Sequence, residues 1–195
     1  MQEKMLVITG GPGTGKTTIT KVILAQWEKA GFKVMLASPT GRAAKRLGEA
    51  TGRPAKTIHR LLEYGFGAVG MGFQRNEDNK LRTDALVLDE FSMVDIRLMD
   101  SLLKAVDEKT RLLFIGDCDQ LPAVGPGNVL RDIIDSGKIP VVKLTKVFRQ
   151  KNQSQIVLNA HRINEGNFPY IDNQGDFVFM ERKEPAEISN LIVDL

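Results

Sequence analysis

Residues 10–18 read Gly-Gly-Pro-Gly-Thr-Gly-Lys-Thr-Thr, and few stretches of nine residues restrict a fold so strongly. Gly10, Gly15, Lys16 and Thr17 stand at the spacing of a phosphate-binding loop. Such a loop needs a buried strand before it and a helix after it. Both are predicted: Met5-Leu6-Val7-Ile8 is a short apolar run, and residues 16–30 carry a helical apolar stripe stopped at Gly31. The pattern implies an α/β chain with a parallel sheet flanked by helices.

The chemistry of the loop follows from its composition. A polyphosphate must be held by groups that approach closely, so glycines at 10, 11, 13 and 15 let backbone N–H groups turn inward as an anion nest, with Pro12 and Thr14 between them. The helix after the loop adds the positive end of its dipole, at Lys16, Thr17 and Thr18. Lys16 brings a full charge to the terminal phosphates, and the Thr17 hydroxyl suits a Mg²⁺ shell. ATP or GTP is the expected ligand.

Composition narrows the setting. The 195 residues are 42% hydrophobic, enough for one good core and the start of a second. No run is long and apolar enough to span a bilayer, and no charged-then-apolar leader precedes the first strand, so a soluble cytoplasmic protein is expected. The single cysteine, Cys118, excludes an internal disulfide and a multi-cysteine zinc site, and reads as a small buried filler. Net charge is +3, from 27 basic and 24 acidic residues, which permits a nucleic-acid partner without announcing one.

Along the chain, Trp27 falls beside the apolar stripe of the first helix and reads as packing. A strand over 33–37 leads into Ser38-Pro39-Thr40-Gly41-Arg42-Ala43-Ala44-Lys45-Arg46, where a helix begins. Oxygen-rich polyanions bind well at such junctions, although an ordinary capped helix with a solvated basic face accounts for these residues taken alone. Thr57-Ile58-His59-Arg60-Leu61-Leu62 predicts a short helix; His59 lacks a partner at metal-ligand spacing and either touches nucleic acid or caps. Residues 64–82, with glycines at 65, 67, 70 and 72 and a polar run from Gln74 to Lys80, read as a hairpin-like excursion turning near 77–79 or as a surface loop.

Ala85-Leu86-Val87-Leu88 predicts a buried strand that delivers Asp89 and Glu90 at its C-terminal end, where open α/β sheets bind ligands. Asp89 fits the Mg²⁺ shell and Glu90 the polarisation of an attacking water. A helix over 95–107 and a strand over 111–115 follow, then Gly116-Asp117-Cys118-Asp119-Gln120. Here Gln120 either senses a terminal phosphate or belongs to an Asp-stabilised turn. Arg149, after a strand near 141–144, can reach a γ-phosphate or pair with an acid. A helix over 152–165, in which His161 reads as structural, a strand over 176–180 and an amphipathic helix over 185–195 complete the chain. The last helix has an apolar face that nothing later covers, so the chain is expected to stop inside a second domain.

With these segments placed, residues 4–170 resemble the first motor domain of a superfamily 1 DNA helicase, most closely the RecD-like family, the alpha subunit of exodeoxyribonuclease V and its free-standing relatives. Six motifs in family order carry the resemblance: G-G-P-G-T-G-K-T-T at 10–18, S-P-T-G-R-A-A at 38–44, T-I-H-R-L-L at 57–62, L-D-E-F-S-M at 88–93, G-D-C-D-Q-L-P-A-V at 116–124 and V-F-R-Q at 147–150. The resemblance implies a RecA-like P-loop NTPase domain over 1–170, with 64–82 as a small hairpin insertion, and the truncated start of a second motor domain over 171–195. It implies ATP and Mg²⁺ as cofactors, with Lys16, Glu90, Gln120 and Arg149 catalytic, residues 10–18 on the nucleotide, and Thr17 and Asp89 on the metal. Pro39, Thr40, Arg42, Thr57 and His59 would lie along single-stranded DNA, and the hairpin would split the duplex. It further implies 5′ to 3′ movement, a role in recombination or repair, and nuclease or helicase subunits as partners in a larger complex. The family's segment for adenine and the motifs of its second motor domain lie outside these residues, so strand separation is expected to need a complete motor. Two other readings are a nucleotide- and DNA-binding module inactive on its own, and a P-loop nucleotide kinase or GTPase; the Asp89-Glu90 pair and the Gln120 segment disfavour the last.

Overall fold

The computed structural model describes residues 3–67, 70–146, 154–173 and 175–194. Arg149, an expected site residue, and the rest of 147–150 lie outside them. The chain divides into two compact units, at residues 148 and 149.

The first unit is built on a six-stranded sheet, β1 (Met5–Gly10), β2 (Val34–Ser38), β3 (Ala55–Thr57), β6 (Ala85–Leu88), β7 (Arg111–Gly116) and β8 (Val141–Leu144), in the order β3-β2-β6-β7-β1-β8. Every pairing is parallel. Its central strands read as continuous apolar runs because both faces are covered, and alternate side chains go to opposite layers. On one side Val7, Leu86, Leu88, Leu112 and Phe114 form a core with α3 (Ile58–Leu61), α4 (Ile96–Ala105) and α5 (Val129–Asp135). On the other Ile8, Ala85, Val87, Leu113 and Ile115 pack with Leu24 and Trp27 of α1 (Lys16–Lys29) and Leu47 of α2 (Gly41–Thr51). Trp27 is thus packing, as expected, whereas Cys118 is only half-buried.

Local chemistry sets the ends of the helices. Thr40 caps α2 by accepting from the Ala43 N–H at 3.3 Å, Thr57 caps α3 through Arg60, and Asp95 caps α4 through Leu98 at 2.8 Å. All six strands run the same way, so the chain leaves Gly10, Ser38, Thr57, Leu88, Gly116 and Leu144 along one edge of the sheet.

The excursion turns earlier than expected. The excursion is a hairpin of β4 (Tyr64–Gly67) and β5 (Gly70–Phe73), so the chain reverses between Gly67 and Gly70 and not near 77–79. Residues 76–79 form a separate turn in which the Asn76 Oδ1 accepts from the N–H groups of Asp78 and Asn79.

The second unit contains α6 (Gln155–Asn164) and α7 (Pro185–Asp194). Helix α6 thus lies in the second unit, which begins at residue 149. No strand forms over 176–180, and Val178, Phe179 and Met180 are exposed. Alternation alone does not make a strand; it needs a neighbour to share its N–H and C=O groups, and no strand occurs among the described residues of this unit. Asp176 instead accepts from Ser154 Oγ and the Ile156 N–H at the start of α6, and the Phe179 N–H donates to Asn173.

Candidate nucleotide site

The loop between β1 and α1 is held from inside. Gly13 and Gly15 take φ of 77° and 88°, the left-handed region that lets successive amides turn to one side. Thr14 is buried and its Oγ1 donates to the Gly11 carbonyl at 2.8 Å. The first intrahelical bond of α1 runs from the Ile19 N–H to the Gly15 carbonyl, so the amides of Lys16, Thr17 and Thr18 precede it. Lys16 Nζ donates to the carbonyls of Gly10 and Gly11, at 2.5 and 3.0 Å, and so lies over the loop that an anion would enter.

The acidic pair stands on the same edge. Asp89 follows β6, its N–H donating to the Ala37 carbonyl at 3.0 Å, and the buried Ser38 hydroxyl donates to the Asp89 carbonyl at 3.1 Å. Burial pushes the Asp89 carboxyl up to about 6, helped by the Glu90 charge and opposed by the Glu90 N–H and by the Lys16 charge. Lys16 and Asp89, 73 positions apart in sequence, are therefore electrostatic neighbours. Glu90 has a left-handed backbone, φ 53°, and opens a 3₁₀ turn over Phe91–Met93. That conformation is uncommon for a residue with a side chain and here separates the direction of Glu90 from that of the strand.

Between these elements, β7 ends in a turn tied to β1: the Cys118 N–H donates to Thr9 Oγ1, and the buried Asp117 carboxylate accepts from the Asp119 N–H at 3.1 Å. Gln120 is exposed on this turn, its N–H on the Asp117 carbonyl at 3.2 Å. Pro39 and Thr40 lie at the end of β2, beside Asp89 through Ser38, and Arg42 is exposed on the first turn of α2. Thr57 caps α3, while the His59 ring packs against Tyr64 and Phe73 of the hairpin. Sequence reasoning passed over Thr9 and the Tyr64–Phe73 pair; the alternation Tyr64-Gly65-Phe66-Gly67 was the available signal for the latter.

A family model described as an AAA domain matches residues 1–179. The chain is 45% identical over 166 residues to the ATP-dependent RecD2 DNA helicase of Deinococcus radiodurans, a match covering 85% of the chain and 22% of that protein. It is 41% identical over 159 residues to the RecBCD enzyme subunit RecD of Mycobacterium tuberculosis, covering 69% of the chain and 27% of the relative. The chain belongs to the AAA domain family, in its RecD-like branch. Among solved structures, the Pif1 helicase from Candida albicans superposes with a TM-score of 0.60 at 25% identity, over 85% of the chain and 41% of that structure. The expected parallel P-loop sheet flanked by helices is thereby borne out. The chain spans about a quarter of the length of the RecD-like relatives it matches. No helix among the described residues is long and apolar enough to cross a membrane.

The raised Asp89 carboxyl has a measurable sign. Its folded value of about 6 lies above the ordinary 3.8, so the folded protein binds this proton more tightly than the unfolded chain. Stability of the nucleotide-free protein should fall as pH rises from about 4 to 6, by on the order of 2 kcal/mol. Asp89→Asn removes that slope. Thermal melting should show the variant several degrees more stable than the parent at pH 8 and equal to it near pH 4; a constant difference at both pH values would assign the effect to something other than the charge.

Proposed function

We propose that this chain is the first motor domain of an ATP-dependent DNA helicase that moves 5′ to 3′ in recombination or repair. The observation that supports it most is the meeting of Lys16 and Asp89 at the edge of the sheet where Thr40 begins α2. One edge thus offers a phosphate cradle, an acidic pair and a basic helix start.

In this reading the amides of 10–18 and Lys16 hold the phosphates of ATP. The Thr17 hydroxyl and the Asp89 carboxylate are two oxygen donors, which suits Mg²⁺, a cation that keeps several waters and takes phosphate oxygens as its remaining ligands. A Mg²⁺ ion held by these two donors would neutralise phosphate charge. Glu90 orients a water for in-line attack on the γ-phosphorus; a bond forms from water oxygen to phosphorus, the bond to the bridging oxygen breaks, and ADP and phosphate leave. Gln120 senses the γ-phosphate, and Arg149 contacts it. Pro39, Thr40, Arg42 and Thr57 follow the backbone of single-stranded DNA. His59 supports that path from the hairpin side, and the hairpin meets the duplex junction. Residues 1–170 serve as the motor domain and 171–195 as the start of its partner domain. The protein works in the cytoplasm, with nuclease or helicase subunits as candidate partners.

The test is the rate of ATP hydrolysis by the chain with and without single-stranded DNA, with Lys16→Ala as the blank. Stimulation by DNA that vanishes in the blank supports the motor. Bound nucleotide without turnover supports instead a nucleotide- and DNA-binding module without activity on its own. Equal turnover in the blank overturns both.

A further inference from the structure

The hairpin pairs Tyr64 with Phe73, Gly65 with Gly72, Phe66 with Met71 and Gly67 with Gly70. Side chains alternate across a strand, so all four large residues share one face and the four glycines the other. A two-stranded ribbon is marginally stable alone, and glycine weakens it further. This one is gripped on both faces. On the large-residue face, the His59 ring of α3 stands 5.9 Å from the Tyr64 ring centroid and 5.6 Å from that of Phe73, and those two rings are 5.0 Å apart.

On the bare face, Gln74 folds back over the ribbon it has just left. Its Nε2 donates to the carbonyls of Gly65 and Gly72, at 3.3 and 3.2 Å, one in each strand. A Cβ at Gly67 would overlap the Gln74 amide, whereas a Cβ at Gly65 or Gly72 would meet nothing within 4 Å. The base is tied as well. The N–H groups of Gln74 and Arg75 both donate to the Leu62 carbonyl at 3.1 Å, and the Arg75 guanidinium pairs with Glu63 at 2.8 Å.

We propose that Gln74 is a positioning residue whose amide clamps the glycine face, so that β4, β5 and α3 move as one stiff piece and a DNA junction meets a rigid wedge. The wedge's task rests on the function proposed above; the clamp does not. Gly67 is the counterpart of Gln74, kept without a side chain because the amide occupies that space.

The experiment is amide hydrogen exchange over 64–67 and 70–73 in the full chain without DNA. Gln74→Ala should speed exchange there about tenfold, the loss of two neutral hydrogen bonds. Gly67→Ala should do the same by expelling the amide, and Gly65→Ala should change little. The double variant Gly67→Ala with Gln74→Ala should exchange no faster than Gln74→Ala, since the added methyl group then has nothing to displace. Unchanged exchange in Gln74→Ala, or additive acceleration in the double variant, overturns the clamp. A second readout separates positioning from bulk stability. In Gln74→Ala the preference for forked over single-stranded DNA should fall several-fold, on the order of the same lost bonds, while DNA-stimulated hydrolysis stays at the parent's rate. Faster exchange with the fork preference intact overturns the positioning role. A parent chain with no fork preference counts against the wedge in the proposed function, and the clamp is then judged on exchange alone.

Discussion

Glu90→Gln is expected to slow ATP hydrolysis about a thousandfold, the usual worth of a positioned general base, while nucleotide affinity holds. The substitution keeps the size of the side chain and the N–H that Asp89 uses, and it tolerates the left-handed backbone as well as Glu does. What it removes is the charge that, in the proposed function, polarises water. The phosphate cradle lies on the loop of 10–18 and is left alone, so the loss should appear in kcat with little change in KM. Steady-state hydrolysis and binding of a fluorescent ATP analogue measure the two terms. Turnover within about tenfold of the parent would transfer the role of base to another group.

Gly116→Ala tests the frame around that base. A Cβ at this position would stand 2.8 Å from Leu130 Cδ2, 3.1 Å from the Ser92 nitrogen and 3.4 Å from the Phe91 nitrogen. Leu130 can shift slightly within a filled core; the two nitrogens belong to the 3₁₀ turn that Glu90 opens, and they can yield only by moving that turn. Overpacking of this kind costs about 2 kcal/mol, which lowers the melting temperature of a chain this long by about 6 °C. Hydrolysis should fall with it, because the displaced atoms are those that aim Glu90. A melting temperature equal to the parent's would show that the close approach is relieved without cost.

The central strands of the large sheet were legible because they are buried on both faces: Ala85-Leu86-Val87-Leu88 and Leu112-Leu113-Phe114-Ile115 leave no polar residue to mislead, whereas the three-residue edge strand Ala55–Thr57 carries no such run and was not foreseen. The loop of 10–18 and the Asp89-Glu90 pair were legible for a related reason, since residue type and spacing are themselves the chemistry. The segment 176–180 misled because apolar alternation reports a preference and cannot report a missing neighbour. The hairpin turn was placed too late because the polar run 74–80 outweighed glycines whose meaning lies in Gln74, and a side chain folding back across the preceding strands has no periodicity to detect. The backbone of Glu90 is invisible in sequence for a simpler reason. A left-handed φ is announced by glycine and asparagine, and Glu90 is neither.

The strand order sets a dimension as well as a topology. The strand carrying the phosphate loop and the strand carrying the acids are separated by one strand, β7. Neighbouring strands lie about 4.8 Å apart, so the two chemical halves face each other across about 10 Å. That gap is a whole number of strand spacings, and side-chain substitution in the core cannot tune it by fractions. Any adjustment must come from the loops, and the loop that leaves the separating strand carries Gln120. The middle strand is therefore a gauge block: it fixes the width of the jaw and carries Gln120 at the midpoint.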